Sequence, residues 1–185
     1  MGTRSYIAYS SWNENEIHGS YCHYDGYLEH NGFMLYGFYR SMLKARRLVD
    51  SGYISALRRL PAECKRTHND PVEVYDDLTS FVEALDPLHH EYVYIYLDKP
   101  HLERKGWYWA KAIYPETDDT FFHVANGHYT AFKPLGRALS RIDLPEWYDS
   151  RWKPVNHIKD SEENTATNTS MTVASPWHIP ISDAV

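Results

Sequence analysis

Tyr92-Val93-Tyr94-Ile95-Tyr96-Leu97 is the stretch on which the fold turns. Every residue but the last is β-branched or aromatic, a composition that favours extended backbone. Its apolarity is nearly continuous, as in a strand covered on both faces and central in its sheet. Downstream, Lys99 to Gly106 carries Pro, Gly and charge and reads as a loop. Trp107 to Ile113 reads as the partner strand, with Trp107, Trp109 and Lys111 on one face and Tyr108, Ala110 and Ala112 on the other. Residues 120–125 predict a further strand, with Asn126-Gly127 as the turn into Tyr129-Thr130-Ala131-Phe132. Pro134 opens a short helix through Arg141.

Upstream, Tyr6-Ile7-Ala8-Tyr9 is rich in β-formers, and Asn13-Glu14-Asn15-Glu16 is a polar turn. Ile17 to Tyr24 then predicts a second strand, with Ile17, Gly19 and Tyr21 on one face and His18, Ser20, Cys22 and Tyr24 on the other. Together they make a hairpin that Asp25-Gly26 ends with turn chemistry. Leu35, Phe38, Met42, Ala45 and Val49 alternate spacings of three and four, which predicts one helix over 31–50, capped by Asn31 and stopped at Ser51-Gly52. Ile54 to Leu60 reads as a helical turn ended by Pro61, and 61–71 as a polar loop. Asp76 or Asp77 caps a helix through Leu85, closed by Asp86-Pro87.

Strand pairs at the front and middle with helices between them predict an α+β fold. The expected architecture is an antiparallel sheet of about four to six strands, with helices mainly on one face. At 185 residues the chain is the size of one domain, and 43% hydrophobic residues suffice for a core without staples. Residues 1–157 read as that domain. Residues 158–173 are too poor in apolar groups to offset their ordering entropy, so 158–185 reads as a flexible linker and an extended C-terminal tail peptide. Within the tail, Pro176-Trp177-His178-Ile179-Pro180-Ile181 is an apolar cluster. One reading is a ragged tail. The other is a Pro-stiffened docking peptide anchored by Trp177, laid on this domain, on a second copy to give a homo-oligomer, or on a partner.

The net charge of −6 favours solubility but is far too small for a mimic of DNA phosphates. Charge is uneven, with a slightly basic front and an acidic back. Cys22 and Cys64 are too few for a disulfide scaffold and read as free thiols in a reducing cytoplasm. No apolar run approaches the roughly 20 residues of a membrane span, and the N-terminal residues lack a signal-peptide core.

The densest polar constellation is Tyr21-Cys22-His23-Tyr24-Asp25-Gly26-Tyr27-Leu28-Glu29-His30-Asn31. Cys22 and His23 point to opposite strand faces, so they cannot share one ion; His23, Asp25 and a returning His30 could meet as in a hydrolytic metal site. The structural alternative is a strand-to-helix corner whose polar groups cap the helix and satisfy backbone. A third reading makes Tyr21, His23, Tyr24, Asp25, Tyr27, Glu29 and His30 a binding surface. Cys22 with a distant His is a formal nucleophile pair in a setting that matches no known one. His89-His90 is a second place for acid–base chemistry, or a solvated loop. No phosphate-binding loop or nucleophile elbow is present, and no metal or cofactor is assigned.

Arg40, Lys44, Arg46, Arg47, Arg58, Arg59, Lys65 and Arg66 cluster against only Asp50 and Glu63. Such a face could pair with phosphates, with Tyr36, Tyr39 and Tyr53 stacking on bases, or meet an acidic protein. The structural alternative is a solvated helix face. The residues carried forward as binding candidates are Arg40, Lys44, Arg47, Arg58, Arg59 and Trp177, with those of the polar corner.

Thr3-Arg4-Ser5 with a hairpin, then the segment from Tyr21 to Gly32 and Gly52-Tyr53-Ile54-Ser55-Ala56-Leu57, resembles a family of small uncharacterised proteins of tailed bacteriophages. In that family the position of Tyr24 is usually Trp. The resemblance covers about the first 60 residues and brings no catalytic residues. It implies a phage protein acting in the host cytoplasm. The leading expectation is an accessory protein, not an enzyme, that binds and modulates a host protein during infection, in host takeover or anti-defence. The alternatives are a virion decoration subunit, a nucleic-acid binder using 40–66, and a metal-dependent hydrolase on His23, Asp25 and His30.

Overall fold

The computed structural model describes residues 2–10, 15–64, 70–98, 105–114 and 127–153. The expected strand at 120–125, Lys65 and Arg66, and the linker and tail with Trp177 lie outside the described residues. Along the chain, β1 (Ser5–Ser10) and β2 (Ile17–Tyr24) precede a π-helical turn at Leu28–Gly32. Then follow α1 (Phe33–Phe38), α2 (Met42–Val49), β3 (Ile54–Ala56) and a 3₁₀ turn at Pro61–Glu63. The middle holds β4 (Glu73–Tyr75), α3 (Leu78–Ala84), β5 (Tyr92–Leu97) and β6 (Gly106–Ile113). Two-residue strands β7 (His128–Tyr129) and β8 (Lys133–Pro134), α4 (Leu135–Leu139) and a 3₁₀ turn at Ser150–Trp152 complete the order.

The fold is α+β, but the sheet is mixed rather than antiparallel and has eight strands among the described residues rather than four to six, in the order β3-β2-β1-β5-β6-β7. β4 also pairs with β2, and β8 with β6. The two hairpin-like pairs, β1–β2 and β5–β6, are antiparallel as expected. The difference lies in the long connections: β5 returns parallel to β1, and β3 parallel to β2. Only a short turn forces antiparallel pairing; a crossover through helices brings the chain back in the same direction. β1 is thereby internal, and all six of its residues are buried.

The sheet separates two cores. On one face Ile7, Tyr9, Cys22, Tyr94, Tyr96 and Trp107 pack beneath α1, α2 and α4. On the other, Tyr6, Ala8, Val93, Ile95, Tyr108 and Ala110 pack with Leu78, Phe81 and Leu85 of the α3 region and with Phe132. Among the described residues helices thus lie mainly on one face, with α3 opposite. Asp77 caps α3 in a capping box: its carboxylate accepts from Ser80 N at 2.8 Å, and Asp77 N donates to Ser80 Oγ at 3.1 Å.

The helix expected over 31–50 is broken at Tyr39–Ser41, and Asn31 does not cap it. Ser41, in extended conformation, caps α2 by accepting from Lys44 N. The break has a tertiary cause. The Tyr39 carbonyl, which a continuous helix would pair with an amide four residues on, accepts instead from Trp107 Nε1 at 2.8 Å. The Arg40 carbonyl accepts from the Tyr96 hydroxyl at 3.4 Å. The expected stop at Gly52 holds: its φ is +77°, and a Cβ there would sit 2.4 Å from the Asp70 carbonyl oxygen. Beyond it, Ile54–Ala56 forms a strand rather than the expected helical turn. β2 offers an open edge there, and fully buried Ile54 suits a pleated core position.

Phe81 seals the second face. Phe81→Ala is expected to lower the unfolding free energy by about 3–5 kcal/mol. Val82→Ala, at a neighbouring exposed position, is expected to stay within about 0.5 kcal/mol. Urea unfolding of both variants measures the contrast.

Candidate functional site

The polar corner begins where β2 stops. Asp25 takes a positive φ of 60°, a conformation that Asp tolerates better than most residues. The chain then turns across the start of β1, and Gly26 N donates to the Thr3 carbonyl at 2.8 Å. A Cβ on Gly26 would lie 2.7 Å from Arg4 backbone atoms, so the crossing requires glycine. The Gly26 carbonyl accepts from the buried Tyr94 hydroxyl at 2.7 Å. Asn31, fully buried, donates through Nδ2 to Ser5 Oγ at 3.1 Å and Cys22 Sγ at 3.3 Å. Ser5 and Cys22 are direct partners in the β1–β2 register, so Asn31 ties the π-helical turn to both strands of the hairpin.

Much of the constellation at 21–31 is therefore architectural. Cys22 and His23 do point to opposite faces. Cys22 is fully buried, and burial pushes its thiol up to about 12, so it stays protonated at neutral pH. His23 lies against Tyr21, whose hydroxyl is 3.2 Å from its Nδ1, and against the Tyr24 ring. His30 instead packs on Trp147 and Tyr27, and its Nδ1 donates to Asn31 Oδ1 at 3.0 Å. Among the described residues no three His, Cys, Asp or Glu side chains gather as metal ligands. Tyr24 and Glu29 are exposed, Tyr27 is partly buried, and the Tyr27 hydroxyl makes only a long 3.5 Å contact with Asp25.

The basic residues divide differently. Leu43, Lys44, Arg46 and Arg47 form the exposed side of α2, with Leu43 58% exposed. Arg46 pairs with Asp50 at 3.2 Å, and Asp50 also accepts from the Tyr9 hydroxyl at 2.8 Å. Lys44 and Arg47 make no ion pair among the described residues. Arg40 is exposed at the break between α1 and α2. Arg59 lies over the Phe38 ring at 5.2 Å and donates to the Trp147 carbonyl at 2.8 Å. Arg58 turns inward to the Leu57 carbonyl, and its own carbonyl accepts from Tyr39 at 2.6 Å. Tyr39 is 1% exposed and cannot stack on a base.

A third constellation escaped the sequence reading. On the sheet face opposite α2, the Tyr6 and Tyr75 hydroxyls both donate to Glu73 Oε2, the first at 2.9 Å. The His90 ring meets Tyr6 edge-on at 4.9 Å and Tyr21 at 5.9 Å, and Tyr21 tilts against Tyr53 at 5.5 Å. Asp86 N donates to His90 Nδ1 at 3.2 Å, which leaves the neutral ring's proton on Nε2. Burial pushes His90 down to about 4 and, with Glu73 alongside, Tyr75 up to about 12. At neutral pH the Tyr6 and Tyr75 phenols are protonated and the His90 imidazole is uncharged. The adjacent His89-His90 pair was its only sequence signal; the Glu73 strand is three residues long and falls between the loop expected at 61–71 and the helix cap expected at Asp76 or Asp77.

No protein-family model matches the chain, and no curated protein or solved structure is significantly similar to it.

Asn31→Ala is expected to lower the unfolding free energy by about 2–3 kcal/mol, since Ser5 and Cys22 lose a buried partner. His23→Ala is expected to cost less than about 1 kcal/mol. Chemical denaturation compares the two.

His90 carries a pH dependence. Its folded pKa lies below the ordinary 6.5, so the unfolded chain binds the proton more readily. Its contribution is complete above pH 6.5 and is lost as pH falls towards 4. Over that window the protein is expected to lose roughly 3 kcal/mol more than His90→Asn, which keeps an acceptor for Asp86 N. Denaturation at stepped pH reads the difference.

Proposed function

We propose that this chain is a binding protein, a phage accessory factor that docks on an acidic surface of a host protein and modulates it during infection. The observation that carries this reading is the outer side of α2. Lys44 and Arg47 stand exposed there without an ion pair among the described residues, beside the exposed apolar side chain of Leu43, in a chain whose net charge is negative. An apolar contact ringed by cations suits a protein surface of opposite charge, where complementarity steers encounter and fixes register. The phage and host parts of the proposal rest on the resemblance of the first 60 residues. The protonated, buried Cys22 thiol and the divergence of His23 from His30 favour binding over the thiol and metal chemistries weighed for the corner. A nucleic-acid reading keeps the cations but loses Tyr39 as a stacking ring.

The test is capture of tagged protein's partners from infected host lysate, with and without nuclease, beside the double variant Lys44→Glu/Arg47→Glu. The expected result is one dominant host protein that survives nuclease, weakens with salt, and falls at least about tenfold with the variant. Recovery of capsid or tail proteins instead favours a virion subunit, and a signal lost with nuclease favours nucleic acid. Absence of any host protein contradicts the proposal.

A further inference from the structure

The polar corner also gathers aromatic rings from two distant parts of the chain. Tyr27 caps the π-helical turn, and its carbonyl accepts from His30 N at 3.3 Å and Gly32 N at 3.4 Å. The turn sets the Tyr27 and His30 rings 6.3 Å apart with their planes at 62°. Trp147 joins them from far along the chain, its ring 5.5 Å from His30 and inclined at 54°. All three residues are half-buried rather than enclosed in a core. Each is anchored. His30 Nδ1 donates to Oδ1 of the fully buried Asn31 at 3.0 Å. The Trp147 carbonyl accepts from Arg59 at 2.8 Å, and the adjacent Tyr148 is buried against Phe33. Such anchoring reduces the ordering that a ligand must impose. Two carboxylates stand beside the rings. Burial first, and then the charges of Asp25 and Glu29, push the Tyr27 phenol up, so both acids lie close to it. Glu29 is exposed, and neither acid makes an ion pair among the described residues. Arg59, the cation at Trp147, is engaged with the carbonyl and lies over the Phe38 ring at 5.2 Å.

We propose that Tyr27, His30 and Trp147, with Asp25 and Glu29, form a cage for the methylated ammonium of a lysine side chain on a partner protein. Non-parallel aromatic rings attract a cation through their quadrupoles, and Trp does so best. The attraction grows as the cation sheds its water. Methylation of lysine keeps the charge, replaces strongly hydrated N–H groups with methyls, and so suits rings better than a plain ammonium does. The two unpaired carboxylates add attraction of the right sign. They also select the source of the cation. A phosphocholine headgroup brings a phosphate, which Asp25 and Glu29 repel, whereas a methylated lysine brings positive charge alone. The cage lies at a surface corner, where the tip of a side chain from another protein can enter. It is built from residues other than those of α2, so it does not depend on the docking surface proposed above.

The probe is a capped alanine–trimethyllysine–alanine peptide, titrated into the ¹⁵N-labelled full chain. The Trp147 indole N–H resonance, identified by its loss in Trp147→Phe, is expected to shift to saturation. The same peptide with plain lysine, the peptide with tert-butylnorleucine as the uncharged isostere of trimethyllysine, and phosphocholine are each expected to bind at least about tenfold more weakly. Equal binding of the uncharged isostere reduces the site to apolar contact, and equal binding of plain lysine reduces it to surface charge. Equal or tighter binding of phosphocholine makes it a headgroup site. Each of these results overturns the proposal, as does the absence of any shift. Tyr27→Leu keeps apolar bulk but removes the ring, and is expected to weaken the trimethyllysine peptide roughly tenfold. Glu29→Gln, at an exposed position where folding is not at stake, is expected to weaken it roughly threefold. Unchanged affinity in either variant overturns the proposal. The titration contains no host protein, so its failure leaves host capture standing, and failure of host capture leaves the cage standing.

Discussion

Three aromatic side chains on one face of β5 and β6 hold the irregular backbone that covers that face. Tyr94 donates to the Gly26 carbonyl, Tyr96 to the Arg40 carbonyl, and Trp107 to the Tyr39 carbonyl. Each ring fills the core with apolar area while its polar tip satisfies a carbonyl that regular structure leaves unpaired. The chain between β2 and α2 can therefore cross β1 tightly, make a π-helical turn and break a helix, without leaving those oxygens orphaned in the core. Asn31 completes the arrangement from the other side by joining Ser5 and Cys22 across the hairpin.

The break in the helix has a consequence at the surface. Because Tyr39 turns inward to Trp107 and Arg58, α2 starts afresh at Ser41. Its own periodicity then buries Ala45, Leu48 and Val49 and exposes Leu43, Lys44, Arg46 and Arg47. On the opposite sheet face the burden of polar groups is met by shared acceptance: one Glu73 oxygen takes two phenols, and His90 stays uncharged between tyrosine rings.

Strands β1, β2, β5 and β6 were legible because their signals are local. Continuous apolarity marked β5, alternation marked the two faces of β2, and the Asp76-Asp77 pair announced α3, of which Asp77 is the cap. The parallel pairing of β1 with β5 was not legible, since nothing within either strand records which way a long connection returns. Nor was the helix break: Leu35, Phe38, Met42, Ala45 and Val49 keep helical spacing through it, and the donor that causes it, Trp107, is far along the chain. Ile54–Ala56 reads as a turn until the open edge of β2 is known. At the site, composition revealed that 21–31 is polar and crowded, but only the register of Ser5 against Cys22 explains what Asn31 does there. The Tyr6–Glu73–His90 cluster gathers residues from three separated elements and left almost no local trace.

The central claim is that the indole of Trp107 sets the break that shapes the covered face. Trp109, two residues away on the same strand face, is the control, since its Nε1 is buried with no acceptor among the described residues. The decisive measurement is the unfolding free energy of Trp107→Phe beside Trp109→Phe. Loss of a satisfied bond at Trp107 is predicted to cost about 2–3 kcal/mol, because the Tyr39 carbonyl is left buried and unpaired, whereas Trp109→Phe is predicted to cost less than about 1 kcal/mol. Equal losses in the two variants would contradict the account, and would place the cause of the break in the local sequence around Ser41.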